Sequence, residues 1–479
     1  MDDLEKHRWE RLLRWLSEEH GMDVGESAFH VEAREVPGAG RGLFATRDCP
    51  RSTTLFKVPS TALMNKKTVA KLYAQLRGRR LSGVLLVSLH LLLHKPLGDE
   101  DSQDPVFGPY ISTLPRDFSS HPLSWLVKRD TQEEDAWERV ALSLLPPSTL
   151  RKLSVLHDRF RADWQILRRV LEEDASVVAS SSRSDISLVS SPENINELMM
   201  DFLWAWLNVN TRCIFWRIQP TLSDQDNFTL CPVLDFANHN SGHSHIFPVV
   251  DSDIWGGVAK KPPKYFVFFG PSQGAVSEGQ QLYLQYGTHS NAFLFSEYGF
   301  VNDFPEGAVA SGAYAGEVDV HELVEELFAQ KALLGSRLKE VLTDEGYWGD
   351  WTVHAAPAPA HPSYRLMVAL RLLEAFENAN ETGQASFDAI VGQWRQVTYG
   401  QADNISMQNE ERWRTTLHRM CSQVVERART HLALLSNASC TGGTSGWHRW
   451  MHLNISVLWQ EELEVAESVM ASLEAGAEF

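Results

Sequence analysis

Asp235-Phe236-Ala237-Asn238-His239 and, further along, Tyr286-Gly287-Thr288-His289-Ser290-Asn291 running on to Tyr298-Gly299-Phe300 decide how this chain is read. Each follows a short β-type run, Thr229–Leu234 for the first and Gln281–Gln285 for the second. A third stretch lies far upstream, Gly38-Ala39-Gly40-Arg41-Gly42-Leu43-Phe44-Ala45. Its glycines invite a dinucleotide-binding reading, which needs a preceding strand and a following helix whose N-terminus takes a pyrophosphate. Here the glycines run instead into a strand and the Pro50 turn, so that reading fails on context. What remains is a tight turn whose backbone is open to a ligand, because glycine lacks the Cβ that would block approach.

Working outward, Leu4, Trp9, Leu12, Leu13 and Leu16 alternate with charges over residues 4–20, a short amphipathic helix ended by Gly21. From Phe29 to Met64 the texture becomes short strands between Gly and Pro turns. Residues 66–210 then read as helical, with Leu81–Leu93 and Leu198–Leu207 too apolar on all faces to lie at a surface. The Ser- and Asp-rich segment 174–196 interrupts that block as a flexible insertion or a phosphorylation site. Strands return at Thr229–Leu234, Tyr265–Phe269 and Gln281–Gln285, and from Val320 onward the pattern is helical again, with Leu366, Ala369, Leu370, Leu373 and Phe376 on one face. The strands therefore form two sets separated by a helical insertion. The expected class is α+β: one β-rich fold split by an insert, followed by an all-α domain.

Composition sets outer limits. At 479 residues, two or three domains are expected. Sixty-two acidic against 44 basic residues, a formal charge of −18, argue against general binding to a phosphate backbone. They fit a basic protein partner, or simply an acidic soluble protein. The N-terminus has neither a basic nor an apolar signal region, and the apolar runs fall short of the ~20 residues of a bilayer helix. The five cysteines, Cys49, Cys213, Cys231, Cys421 and Cys440, contain no CxxC pair and support neither a disulfide framework nor a zinc cluster. A reduced, intracellular compartment is expected.

Asp235, Asn238 and His239, with His243 and His245 close behind, admit two readings. One is a metal site, as in a metal hydrolase, although no HExxH is present and Gly242 and Pro248 break any helix. The other is a hydrogen-bonded crossing of chain segments. Arg212 closes the apolar run Trp204–Arg212, where a part-buried guanidinium needs a carboxylate or similar partner. Phe293, Phe295 and Phe300 read as core, and Tyr286 and Tyr298 would do so by residue type alone.

In this order, the glycine turn, the Asn-His segment and the two Tyr-Gly segments resemble the SET-domain protein methyltransferases. The branch is the Rubisco large-subunit methyltransferase type, with a split SET domain and a C-terminal helical substrate-binding domain. Phe107-Gly108-Pro109-Tyr110 through Leu114-Pro115 resembles a structural segment of that branch's insert. The resemblance implies an N-terminal helix over 1–28, a SET domain over 29–310 with its insert at about 66–210, and a substrate-binding domain over 315–479. It implies S-adenosylmethionine as cofactor, packed against the backbone of Ala39, Gly40 and Arg41. Arg212 would pair with the cofactor carboxylate, from a Thr211-Arg212 pair where the family has Ser-Arg. The Asn238 side chain and the His239 backbone would hold the cofactor, with Asp235 contributing to the pocket.

Tyr286 is the expected catalytic residue, also touching the cofactor, and Tyr298 would line the lysine channel. The family's further channel tyrosine has no match between His239 and Tyr265. The implied reaction is methylation of a lysine in a non-histone protein, a ribosomal protein among the possibilities. Protein-histidine methylation and a non-catalytic binding module are the alternatives. The implied partner is a protein with a basic segment, with no direct nucleic acid, membrane or metal, in cytoplasm or nucleus.

Overall fold

Gly38 and Gly40, at left-handed φ of 78° and 74°, reverse the chain between its first two strands. In this computed structural model the described residues are 3–183, 192–216, 226–242, 244–250, 264–304, 307, 316–376, 384–437 and 446–479. The chain divides into two compact units. The first comprises 1–134, 154–289 and 297–299, and the second 135–153, 290–296 and 300–479.

The strands of the first unit are β1 (Val31–Val36), β2 (Gly40–Ala45), β3 (Thr54–Pro59), β4 (Met64–Asn65), β5 (Ile214–Phe215), β6 (Phe228–Leu230), β7 (Asn238–His239), β8 (Phe247–Val250), β9 (Tyr265–Phe269) and β10 (Gln281–Leu284). They form three small sheets, β1-β2-β10-β7, β3-β9-β8 and β4-β6-β5. All three join strands from before the insertion to strands from after it. In the first, Leu43 pairs with Leu282 across an antiparallel ladder, and Tyr283 pairs with Asn238 in a parallel one. In the third, β4 and β5 flank β6 and bracket the helical insertion between residues 65 and 214. A single β-rich fold is thus split by helices, as the two sets of strand texture lead one to expect.

The amphipathic start is a helix over Asp3–Glu18 that buries Trp9, Leu12, Trp15 and Leu16. It ends where Gly21 takes a φ of 69° and the Met22 and Gly21 amides return to the Leu16 and Ser17 carbonyls. This paired closure satisfies carbonyls that the last turn would otherwise leave open. Gly83–Leu93, capped by the Ser82 hydroxyl on the Leu85 amide, is buried along nearly its whole length. Such all-round burial matches its lack of a polar face. The insertion ends with the helix Pro192–Arg212, which delivers Arg212 beside the sheets. The Ser-rich segment 174–196 lies partly outside the described residues.

The second unit is mainly helical, with long helices at Met407–Asn437 and Gly446–Glu474. Its core gathers Trp351, Leu366, Leu370, Trp394, Trp413, Leu417 and Val465. Fully burying one aliphatic or aromatic side chain is worth roughly 1.5–3 kcal/mol, an upper estimate against an extended unfolded chain. It also carries a three-stranded antiparallel sheet of β11 (Glu317–Asp319), β12 (Thr352–His354) and β13 (His361–Pro362). Among the described residues, no helix is long and apolar enough to cross a membrane.

Candidate functional site

The site is built around the turn that follows β6. Val233 has a φ of 72°, unusual for a β-branched residue, and initiates a one-turn 3-10 helix over Leu234–Phe236. A residue held there costs of order 1–3 kcal/mol, which the surrounding structure must offset. The turn buries the Asp235 side chain to 1% exposure and leads straight into β7.

Asp235 Oδ2 accepts a hydrogen bond from the Tyr110 hydroxyl at 3.3 Å and lies 3.8 Å from Arg212 Nη1. The same Nη1 donates to the Asp235 carbonyl at 2.5 Å. Asp235 Oδ1 and Arg212 Nε are both buried without a protein hydrogen-bond partner. Burial pushes the Asp235 carboxyl up to about 6, outweighing the opposing pull of Arg212, Arg41 and the Tyr110 hydrogen bond. A buried acid and a part-buried base are thus each left with one buried atom without a protein partner, an arrangement that invites a polar ligand.

The glycine hairpin reaches this turn through Arg41. Its backbone carbonyl accepts from Asn238 Nδ2 at 3.1 Å, linking β2 to β7. Its guanidinium donates to Glu5 Oε2 and to the Thr113 carbonyl and lies 4.6 Å from the centre of the Phe236 ring. Gly42 permits this closeness. A Cβ there would stand 2.6 Å from Gln281 Nε2 and 3.1 Å from Asn238 Nδ2. Ala39 and Gly40 sit at the exposed turn, with open space where a Gly40 side chain would be.

Tyr286 is fastened at two points, to β7 and to the residue just before it. Its amide donates to His239 Nδ1 at 3.0 Å, and its hydroxyl donates to the Ala237 carbonyl at 2.8 Å. The Tyr286 ring centre lies 5.1 Å from that of His239 and 5.2 Å from that of Tyr298. Burial pushes both phenols up to about 12, so both are neutral across the physiological range. Tyr298 is positioned from behind. Glu297 accepts from Asn210 and Arg159, and its carbonyl also accepts from His121 Nε2 at 3.2 Å. His121 Nδ1 accepts from the Leu123 amide, which leaves Nε2 as the donor. A Cβ on Gly299, at a φ of 80°, would come within 3.2 Å of the His121 ring.

The structure therefore brings Arg41, Arg212, Asp235, Asn238, His239, Tyr286 and Tyr298 into one connected arrangement, with Ala39 and Gly40 on the adjoining turn. The metal reading of the histidines finds no support among the described residues. His239 and His245 each receive a backbone amide, from Tyr286 and Tyr283, and neither belongs to a metal-type cluster. His243 lies outside the described residues. Sequence reasoning missed Glu5, Thr113 and the role of Tyr110, which it assigned to structure alone. The Gly-Pro-Tyr segment was visible, but nothing in it points to a carboxylate 125 positions away.

No family model matches the chain. Over 361 residues it is 24% identical to a ribosomal lysine N-methyltransferase (set11) of Schizosaccharomyces pombe, covering 75% of this chain and 74% of that protein. It is 25% identical to the SET domain-containing protein 4 of Mus musculus, covering 95% and 89% respectively. Among solved structures, the SET domain of LSMT bound to lysine and AdoHcy superposes with a TM-score of 0.60 at 18% identity, over 98% of this chain and 91% of that one. The shared fold therefore extends over nearly all of the chain.

Proposed function

We propose that this chain, a SET-domain protein of the Rubisco large-subunit methyltransferase type, is an S-adenosylmethionine-dependent protein-lysine N-methyltransferase. The observation that carries the reading is the two-point attachment of Tyr286 to Ala237 and His239, which flank the Asn238 that donates to the Arg41 carbonyl of the glycine hairpin. Three sequence-distant segments thereby supply one site, and Arg212 adds a fourth through its bond to the Asp235 carbonyl.

The residues fit the cofactor. The unpartnered Arg212 Nε suits a carboxylate, and the unpartnered Asp235 Oδ1 suits an ammonium or hydroxyl donor. Ala39, Gly40 and Arg41 would offer backbone, Asn238 its side chain and His239 its main chain. When bound, S-adenosylmethionine supplies an electrophilic methyl on a sulfonium centre.

The protein's part is to present a neutral amine to that methyl. Free lysine has a pKa near ~10.4 and is almost fully protonated at neutral pH. Tyr286 and Tyr298 remain uncharged, so this wall offers an ammonium no counter-charge and favours loss of its proton. The Tyr286 proton is committed to the Ala237 carbonyl, which leaves its oxygen as an acceptor for an amine N–H. Such a fixed acceptor orients the nucleophile for in-line attack, and holding two reactants in place can contribute several kcal/mol.

The similarity to a ribosomal lysine N-methyltransferase supports a ribosomal protein as substrate. A basic target segment would suit the formal charge of −18. Such a substrate places the protein in cytoplasm or nucleus. We assign residues 29–310 to the SET domain with its insert at about 66–210, and 315–479 to substrate binding. Calorimetry with S-adenosylhomocysteine, without added metal, tests the cofactor assignment. Wild type should bind, and Arg212→Ala should lose roughly 10–100-fold in affinity, as for a charge-assisted hydrogen bond left unmade. Unchanged affinity in the variant would remove Arg212 from the site.

A further inference from the structure

Deep in the helical insertion, away from the residues above, His90 and His94 lie one turn apart on the helix Gly83–Leu93 and its C-cap. Both face Asp104. His90 Nε2 is 3.3 Å from Asp104 Oδ2, and His94 Nε2 is 3.6 Å from Asp104 Oδ1. All three residues are buried, at 1%, 5% and 6% exposure. One ligand atom from each falls within 4.8 Å of the others, and among the described residues this is the only such group of histidine, cysteine and carboxylate side chains.

We propose that His90, His94 and Asp104 hold one divalent transition-metal ion of the zinc type. Histidines four apart on a helix present their rings to the same side. A tetrahedral zinc site with bonds of ~2.0–2.1 Å places its ligand atoms ~3.3 Å apart. The two His–Asp separations are close to that spacing already, each to a different oxygen of Asp104, and one ligand atom of each residue lies within 4.8 Å of the other two.

The outer contacts point the same way. His90 Nδ1 is 2.8 Å from the Tyr73 hydroxyl, and His94 Nδ1 is 3.0 Å from the Ser182 hydroxyl. Both hydroxyls can accept an Nδ1–H, which fixes the tautomer with the Nε2 lone pairs aimed at the carboxylate. A hydrogen bond on the second ring nitrogen is what metal-ligating histidines ordinarily have. Asp104 is held in turn by the Phe107 amide on Oδ2 at 2.6 Å. Hydrogen bonding between the rings and the carboxylate accounts for less. The contact at 3.3 Å is long, and 3.6 Å is outside hydrogen-bond range. Three protein donors leave a fourth position for water.

The ion would tie the buried helix to the segment leading into the short helix Gly108–Ile111. That short helix carries Tyr110, the donor to Asp235. The site braces the catalytic region from behind and is independent of the methyl-transfer reading.

The test uses the full-length protein and needs no substrate. Zinc is measured by elemental analysis after dialysis against a weak chelator, and cobalt(II) is then titrated into metal-free protein. The expected results are about one zinc per chain, the intense visible bands of four-coordinate cobalt, and a fall of several degrees in melting temperature on strong chelation. His94→Gln should lose the bound metal and the chelator sensitivity, and Ser182→Ala should weaken zinc ~10–100-fold. Wild type that retains less than 0.1 equivalent, gives only octahedral cobalt bands, or melts identically with and without chelator overturns the proposal. These wild-type readings stand even where a variant fails to fold.

Discussion

Replacing Asp235 by asparagine should stabilise the ligand-free protein at neutral pH. The Asp235 side chain is 1% exposed, and its Oδ1 has no protein partner. Burial raises its pKa from an ordinary 3.8 to about 6 even with Arg212 nearby. Between those values the folded carboxyl keeps a proton that the unfolded chain has released. Its contribution to stability is therefore fully present below about pH 4 and is lost as pH rises through about 6. The shift, from 3.8 to about 6, is roughly two units. At ~1.4 kcal/mol per unit, ionisation costs the fold on the order of 3 kcal/mol by pH 7. Asparagine keeps the shape and an acceptor for Tyr110 without ionising. Urea unfolding of both proteins from pH 4 to 8 should show nearly equal stability at the acid end. The variant should gain over wild type as pH rises, approaching ~3 kcal/mol near pH 7. A difference that does not change with pH, or a variant less stable throughout, would refute the argument that Asp235 is a carboxyl buried at a cost.

Tyr286→Phe keeps the ring against His239 and Tyr298 and removes one hydroxyl, so folding should lose only ~1–3 kcal/mol from the unpaired Ala237 carbonyl. Single-turnover methyl transfer should fall ~10²–10³-fold with little change in S-adenosylhomocysteine affinity, and wild-type turnover would exclude this tyrosine. Because both phenols titrate near 12, the wild-type pH–rate profile should show no tyrosine limb below pH 10. Gly42→Ala places a Cβ 2.6 Å from Gln281 and 3.1 Å from Asn238. Denaturation should show a loss of ~1–3 kcal/mol from overpacking, and calorimetry a weakened ligand; an unperturbed variant would show that the close approach of β2 and β7 is not needed.

What the sequence made legible was local, or carried by a residue with one physical use. Gly21 ending the first helix, Gly38 and Gly40 turning the hairpin, and the apolar Gly83–Leu93 helix all follow from conformation and hydrophobicity at the position itself. The joining of the early strands to the late ones could be anticipated from the two sets of strand texture, although the register that sets Leu43 against Leu282 could not. β11, β12 and β13 have three, three and two residues, too few for an alternation to register, so the small sheet of the second unit went unseen. Long-range side-chain pairings left no trace. Glu5 meets Arg41, and Tyr110 meets Asp235, because the fold carries them together. The same holds for Asp104, which ordinary reading places in a polar loop until the structure sets it between His90 and His94.

The central claim is that this site moves a methyl group onto a lysine. Its most direct measurement is tandem mass spectrometry of ribosomal proteins incubated with the purified chain and isotopically labelled S-adenosylmethionine. Labelled methyl should appear on the side-chain nitrogen of a lysine, depend on active wild-type protein, and be absent with the Tyr286→Phe, Tyr298→Phe double variant. Label confined to histidine, label that persists with the double variant, or a protein that binds the cofactor yet labels nothing in a complete lysate would contradict it.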